Sequence, residues 1–334
     1  MKNPSWIVRR ASSGRYDPAC FERVDGGMPP LSEGKVLVRT TLMSLDPTNL
    51  NWLKLDPVMQ PVPIGLGDAM LGISIGVVIE SRCATYSPGD QVTGMWGWRL
   101  FDVVDPLWLR PVQPPAVLAI EEQLAVFSHV GRAAAGGMLL VGQIKAGDTV
   151  LVSGAAGATG SLAAQIAKVT GCRTIGVAGG PEKCRYLVEE LGLDGAIDYR
   201  AGPLDRAVRD HFPTGVDVFF DNVGGEILDA VLRNMARGCR IAVCGAISQY
   251  DIPDRDALYG VRNLPLLIFR QARMEGFVAE FGERNAALDQ FLLELTRASR
   301  LKVRTHIVEG FENIPKALEL LLSGRNEGKL IARL

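Results

Sequence analysis

The residues best placed to do chemistry are those of Gly154-Ala-Ala-Gly157-Ala-Thr-Gly160, which follow a short apolar run at 150–153 and open a helix-forming stretch at 158–170. Glycines let the backbone turn tightly and let a pyrophosphate come close. The helix behind them offers unpaired N–H groups and the positive end of its dipole to that anion. A glycine pattern alone is weak evidence; one standing between a strand and a helix is a dinucleotide fingerprint. The first glycine of G-x-G-x-x-G is replaced by Ala155, which the turn tolerates while φ stays negative there. In NAD enzymes an acidic residue ends the second strand and binds the ribose 2′-hydroxyl. Here that strand ends Val177-Ala-Gly-Gly-Pro181 without an acid, and Lys183 arrives at the start of the next helix. A lysine on a helix is by itself an ordinary solvated group. Coupled to the missing carboxylate, it favours a cofactor that carries a 2′-phosphate, NADPH.

Short buried runs alternate with helical stretches around that turn. Strands are expected at 150–153, 173–178, 196–198, 216–220 and 240–244, with helices at 158–170, 182–191, 204–211 and 226–235. This rhythm makes βαβ units and an α/β fold with a doubly wound parallel sheet. The preceding segment is rich in Pro and Gly, with β-type runs at 35–39, 73–79 and 91–93 and a turn at Pro88-Gly89-Asp90. The tail has a β-type run at 303–308 and a helix at 314–322, with no place in the parallel sheet. The expected organisation is a β-rich lobe over 1–121, completed by 301–334, and a dinucleotide domain over 122–300. Neither an internal repeat nor a low-complexity tract interrupts it.

A chain of 334 residues with 47% hydrophobic and 22% charged residues suits two ordinary globular domains. Its net charge of −1 gives no electrostatic footprint for nucleic acid or an anionic membrane. No run reaches about 18 uncharged apolar residues, so no transmembrane helix is expected. The first residues, MKNPSWIVRR, lack the apolar centre of a signal peptide, and a cytoplasmic enzyme is the default. The six cysteines are scattered, with no C-x-x-C pair, and only His129, His211 and His306 accompany them. Zinc requires clustered ligands, so no metal site is expected, and the thiols fit a reducing compartment.

Five motifs occur in order: Ala155-Ala-Gly-Ala-Thr-Gly160, Glu182-Lys-Cys184, Asp221-Asn-Val-Gly-Gly-Glu226, Cys244-Gly-Ala-Ile-Ser-Gln-Tyr250 and Ala272-Arg-Met-Glu-Gly-Phe277. Through them the chain, from about residue 30 to its end, resembles the leukotriene B4 12-hydroxydehydrogenase/prostaglandin reductase family of zinc-free medium-chain dehydrogenases. That family includes plant and bacterial double-bond reductases and curcumin reductase. The resemblance implies a GroES-like β lobe, a Rossmann lobe and a homodimer. It also implies NADPH-dependent reduction of a carbon–carbon double bond conjugated to the carbonyl of a small ketone or aldehyde. Carried over residue by residue, it places Gly157, Ala158, Thr159 and Gly160 at the pyrophosphate, and Lys183 and Tyr199 at the 2′-phosphate. Asn222 would lie along the cofactor. Cys244, Gly245, Ala246, Ile247, Ser248, Gln249 and Tyr250, with Phe277, Val278 and Ala279, would flank the nicotinamide ribose. Asn326 would reach the cofactor from the last segment. The Gly-His-Glu motif of zinc-dependent relatives is absent.

Conjugate reduction delivers a hydride to the β-carbon and leaves negative charge on the carbonyl oxygen. One well-aimed donor at such an oxygen is worth about 3 kcal/mol, and an acid or water then protonates the α-carbon. Tyr250 is the candidate: a neutral phenol just past the fifth strand, at the carboxyl edge where open parallel sheets bind ligands. That choice leans on the resemblance, and packing against the ribose is the plainer role. Two segments depart from the family. Asp-Pro-Tyr-Met-Arg reads Asp46-Pro-Thr-Asn-Leu50, and Met-x-Gly-Leu-Thr-Ala-Tyr reads His129-Val-Gly-Arg-Ala-Ala-Ala135. Alanine thus replaces the threonine that would touch the nicotinamide, and His129 and Arg132 are added. Either the pocket is enlarged and repolarised for another substrate, or the changes are compensated elsewhere. Trp52, Trp96, Trp98, Phe101 and Trp108 are candidates for an aromatic acceptor site as well as for core. Two other functions compete: a quinone reductase of the same superfamily, and a cofactor-binding protein with lost or altered redox chemistry.

Overall fold

In the computed structural model, which describes residues 2–60, 62–114 and 117–334, the apolar runs of the middle segment become one wholly parallel sheet. Its strands lie in the order Gly195–Asp198, Arg173–Ala178, Thr149–Val152, Val216–Asp221, Met235–Val243, Arg273–Gly276. Val150, Leu151, Val152, Val218, Phe219 and Phe220 are all 0% exposed. Strands covered on both faces show this unbroken burial, which is why they read as continuous apolar runs. Strand order reverses between Thr149–Val152 and Val216–Asp221. Open α/β sheets bind ligands outside the carboxyl ends of the strands at such a point.

The sixth strand, Arg273–Gly276, was not expected. All four of its residues are exposed, so it carries no apolar alternation, and only the ladder to Met235–Val243 identifies it. The helix expected over 182–191 is α-helical only over Pro181–Arg185 and continues as a wider turn over Tyr186–Glu190. By length and hydropathy the helical run Ile120–Val141 could cross a membrane, but 78% of its apolar window is buried in the fold. Its small residues explain the burial. A side chain on Gly136 would come within 2.8 Å of the Phe281 ring, and one on Gly137 within 2.5 Å of Phe220.

The β-rich unit has its own sheet, ordered Thr305–Glu309, Lys329–Arg333, Val36–Ser44, Leu71–Ser81, Gln91–Gly97, Leu109–Pro111, with Phe101–Val104 also paired to Val36–Ser44. The tail enters this sheet through Lys329–Arg333, antiparallel to Val36–Ser44, with Ile331 opposite Ser44. Trp98, fully buried, stacks on Phe21 at 5.1 Å, and the Trp96 indole donates to Thr40 Oγ1 at 2.9 Å. Beneath lies a buried ion pair between Lys329 and Asp46. Such pairs persist only where further hydrogen bonds complete them. Here Lys329 also donates to the Leu45 carbonyl at 3.3 Å, and Ser44 Oγ donates to Asp46.

The chain divides into two compact units. One holds the residues up to Leu124, Tyr250–Asp254 and Thr305–Leu334; the other holds Ala125–Gln249 and Arg255–Arg304. Nothing in the local sequence marked 250–254 as part of the first unit. There the Tyr16 N–H donates to the Asp251 carboxylate, and Gly14, at φ +117°, lies against Pro253. The architecture is a doubly wound Rossmann sheet and a GroES-like β-rich lobe.

Candidate functional site

At the switch point, the strand Thr149–Val152 runs through Ser153 into the glycine turn and then into the helix Ala158–Val169, with Gly157 as its N-cap residue. The left-handed position of this turn falls on Gly154, at φ +58°. Ala155 is fully buried and is not among the positive-φ residues, so the missing first glycine costs the turn nothing. Gly160 has a different duty. A Cβ there would lie 2.8 Å from Gly154 C and 2.9 Å from Ala155 Cα, closer than real Cβ atoms come to backbone. The absence of that side chain lets the helix sit directly on the turn, with its N-terminus facing the crest of the sheet.

The second strand, Arg173–Ala178, runs out into Gly179 and Gly180, the latter at φ +93°. Lys183 follows in the helix Pro181–Arg185, and Tyr199 comes directly after the neighbouring strand Gly195–Asp198. Sequence reasoning missed Asp198. Its Oδ1 accepts from the N–H of Gly180 at 2.9 Å and of Arg200 at 3.0 Å, which fastens the two strand ends together.

The other side of the crevice centres on Asp221, fully buried at the end of its strand. Its Oδ1 accepts from Ser153 Oγ at 2.7 Å and from the N–H groups of Val223 and Gly224, each at 3.0 Å. Its backbone carbonyl takes the N–H groups of Cys244 (2.8 Å) and Gly245 (3.0 Å). One residue therefore joins the carboxyl ends of three strands. Its Oδ2 is buried without a hydrogen-bond partner, and burial raises its pKa. Asn222 is tied in as well: its N–H donates to Ser153 Oγ at 2.8 Å and its side-chain amide to the Ser153 carbonyl at 2.7 Å. The positions of Ser153 and Asp221, flanking the strand-order reversal, were the signal that could have found them.

The turn Ile247–Gln249 is knitted to the same loop. Ile247 N–H donates to Asn222 O at 3.2 Å, and Ser248 Oγ to Val223 O at 2.6 Å. Burial first, then the neighbouring Asp221, pushes the Cys244 thiol up to about 12. It stays a thiol at neutral pH. Ala246 lies beside Gly224, whose φ of +68° brings the two loops close. Phe277 is partly a packing residue, edge-on to Phe220 at 6.0 Å and 5.8 Å from Phe281, while Val278 after it is 74% exposed and Ala279 half-buried. Two expected residues belong to the β-rich unit. Tyr250 begins the segment 250–254, and Asn326 closes a turn by donating to Gly328 O at 2.9 Å.

The departures from the family now have physical roles. Asn49, 1% exposed, reaches back to the Asp46 N–H at 2.9 Å and donates to Leu71 O at 3.0 Å, so it caps the helix Pro47–Trp52; Leu50 is core. Arg132 forms a two-pronged ion pair with Asp289 at 2.7 and 2.5 Å, which ties the helix His129–Gly136 to Asn285–Arg297. Ala133 and Ala135 are buried in that helix. Trp96, Trp98 and Phe101 are core of the β-rich unit, whereas Trp108 is 54% exposed. Among the described residues no group of three or more His, Cys, Asp or Glu is placed to hold a metal ion.

Residues 4–112 match the family model described as N-terminal domain of oxidoreductase, and residues 158–297 the one described as zinc-binding dehydrogenase. The chain is 33% identical to the NADPH-dependent curcumin reductase of Escherichia coli (strain K12), over 99% of this chain and 97% of that protein. It is 36% identical to prostaglandin reductase 1 of Mus musculus, with 98% of each covered. The crystal structure of CurA in complex with NADPH from Vibrio vulnificus matches with a TM-score of 0.90 at 30% identity, over 99% of this chain and 98% of that one. Fold and glycine crest define the class, a medium-chain dehydrogenase/reductase. Within it, the chain belongs to the zinc-free family of the curcumin reductase and prostaglandin reductase type.

Proposed function

We propose that this enzyme uses NADPH to reduce the carbon–carbon double bond of an α,β-unsaturated ketone or aldehyde. The observation that carries the cofactor half is the crest itself: a glycine turn that a single Cβ at Gly160 would obstruct, beside a second strand running out into Gly179-Gly180 instead of an acid. The similarity to the curcumin reductase and to a 2-alkenal reductase of Nicotiana tabacum supports the substrate half, since a 2-alkenal is a conjugated aldehyde.

In this reading Gly157 to Gly160 hold the pyrophosphate and Lys183 and Tyr199 the 2′-phosphate. Asn222, the 244–249 turn, Phe277 to Ala279 and Asn326 border the rest of the cofactor. When bound, NADPH supplies the hydride for the β-carbon. The Tyr250 phenol donates a hydrogen bond to the carbonyl oxygen as negative charge gathers there, worth about 3 kcal/mol in the barrier. The α-carbon then takes its proton from Tyr250 or from water. The buried Asp221 brace keeps the two walls of the crevice at a fixed separation.

The same reading makes the enzyme a homodimer. Arg273–Gly276 is the outermost strand of its sheet, and Ile268, Phe269 and Val278 near it are 74%, 78% and 74% exposed. An open edge with apolar neighbours is a pairing surface, and a second copy supplies the matching edge. Six free cysteines fit a reducing, cytoplasmic setting. The test is steady-state turnover of NADPH with a panel of enones, enals and quinones, with product identification. Saturated ketones or aldehydes support the proposal; turnover confined to quinones overturns its substrate half.

A further inference from the structure

The ends of the second and third strands of the parallel sheet hold a cation that the functional reading above leaves without a task. Gly179 has no side chain, and one placed there would meet Tyr199 Cε1 at 2.9 Å, Arg200 Nε at 3.0 Å and the Tyr199 hydroxyl at 3.0 Å. The space above the end of the second strand is therefore filled from the neighbouring strand. In an NAD-selective sheet an acidic side chain points into that space. Here a phenol and a guanidinium stand in it.

The Arg200 guanidinium carbon lies 5.4 Å from the centroid of the Tyr199 ring. A guanidinium over a ring face is attracted by the ring, and its N–H donors can still serve an oxyanion. The backbone below is held too, because Asp198 Oδ1 binds the N–H groups of both Gly180 and Arg200, at 2.9 and 3.0 Å. Asp198, the carboxylate that ends the third strand, is thus turned onto backbone donors. A planar fork of donors beside an ammonium-bearing helix is chemistry for a phosphate monoester, since guanidinium binds phosphate oxygens two at a time and lysine binds as a point charge.

We propose that Arg200, held over the Tyr199 ring, is a specificity-determining residue that reads the ribose 2′-phosphate together with Lys183 and so sets preference for NADPH over NADH. This rests on the cofactor reading above. It adds that discrimination is shared between two cations from different strand–helix units, with Gly179 kept free of a side chain to admit them.

Calorimetric titrations with NADPH, NADH and adenosine 2′,5′-bisphosphate test this on the full chain, with wild type, Arg200→Ala, Arg200→Lys and Lys183→Ala. Arg200→Ala is expected to weaken NADPH about five- to tenfold, between the limits for exposed ion pairs and for well-formed charged hydrogen bonds. Adenosine 2′,5′-bisphosphate should weaken in parallel, NADH should hold its wild-type affinity, and Arg200→Lys should recover part of the loss. Lys183→Ala alone should leave a measurable NADPH preference. If Arg200→Ala leaves the ratio of NADPH to NADH affinity at its wild-type value, the assignment is overturned while the cofactor reading stands. If the wild type binds neither nucleotide, both fall together.

Discussion

The contact between Gly160 and the turn before it makes a quantitative prediction. In Gly160→Ala, the new Cβ would sit 2.8 Å from the carbonyl carbon of Gly154 and 2.9 Å from Ala155 Cα. Both are backbone atoms, so no flexible side chain can move aside. The helix Ala158–Val169 must shift against the sheet instead. Overpacking of this kind costs about 1–3 kcal/mol. For a cooperative unit of about 150–250 residues, each kcal/mol lowers the melting midpoint by about 2–4 °C, which gives a fall of about 2–12 °C. The same shift moves the N–H groups that would face the pyrophosphate, so NADPH affinity should fall as well. Gly202→Ala is the control: nothing lies within 4 Å of its Cβ position, and its φ is not in the left-handed range. Loss of backbone freedom in the unfolded chain should leave Gly202→Ala unchanged or stabilised by about 0.4–1 kcal/mol. Differential scanning fluorimetry with and without NADPH measures both effects. Gly160→Ala matching Gly202→Ala in midpoint and in NADPH-induced shift would refute the argument.

Tyr250→Phe should lower kcat for enone reduction about 10²–10³-fold and leave NADPH affinity unchanged; full turnover would remove Tyr250 from the chemistry. Phe269→Glu should shift the protein from dimer to monomer in light scattering, since Phe269 is 78% exposed beside the open sheet edge; a monomeric wild type would contradict this. Burial lifts the Asp221 pKa above its unfolded value of about 3.9. The folded state therefore holds a proton that the unfolded chain releases, and that contribution fades as pH rises through the folded value. Asp221→Asn should consequently gain stability relative to wild type as pH rises above about 4. Melting curves that stay parallel across that range would refute it.

What the sequence disclosed follows burial. Strands such as Val216–Asp221 announce themselves because both of their faces are covered. Arg273–Gly276 escaped notice because it lies at an exposed edge, where ladder hydrogen bonds alone define a strand. The glycine turn was legible from its own spacing, but the duties within it were not: Gly154 takes the left-handed position, while Gly160 provides the close approach. Pairs distant in sequence stayed hidden. Arg132 looked like a new pocket group until Asp289, 157 residues away, proved to hold it. Lys329 gave no sign of its buried partner Asp46, 283 residues earlier. Arg200 carried no signal in the sequence, because the task proposed for it depends on a glycine just past the end of the adjacent strand and on a tyrosine beside it.

The most direct measurement follows the hydride itself. NADPH carrying deuterium at the transferable C4 position is incubated with the enzyme and a conjugated enone, and the product is analysed by mass spectrometry and NMR. The account predicts a saturated ketone with deuterium on the former β-carbon. An allylic alcohol with deuterium on the carbonyl carbon, or recovery of the enone with unoxidised NADPH, would contradict it.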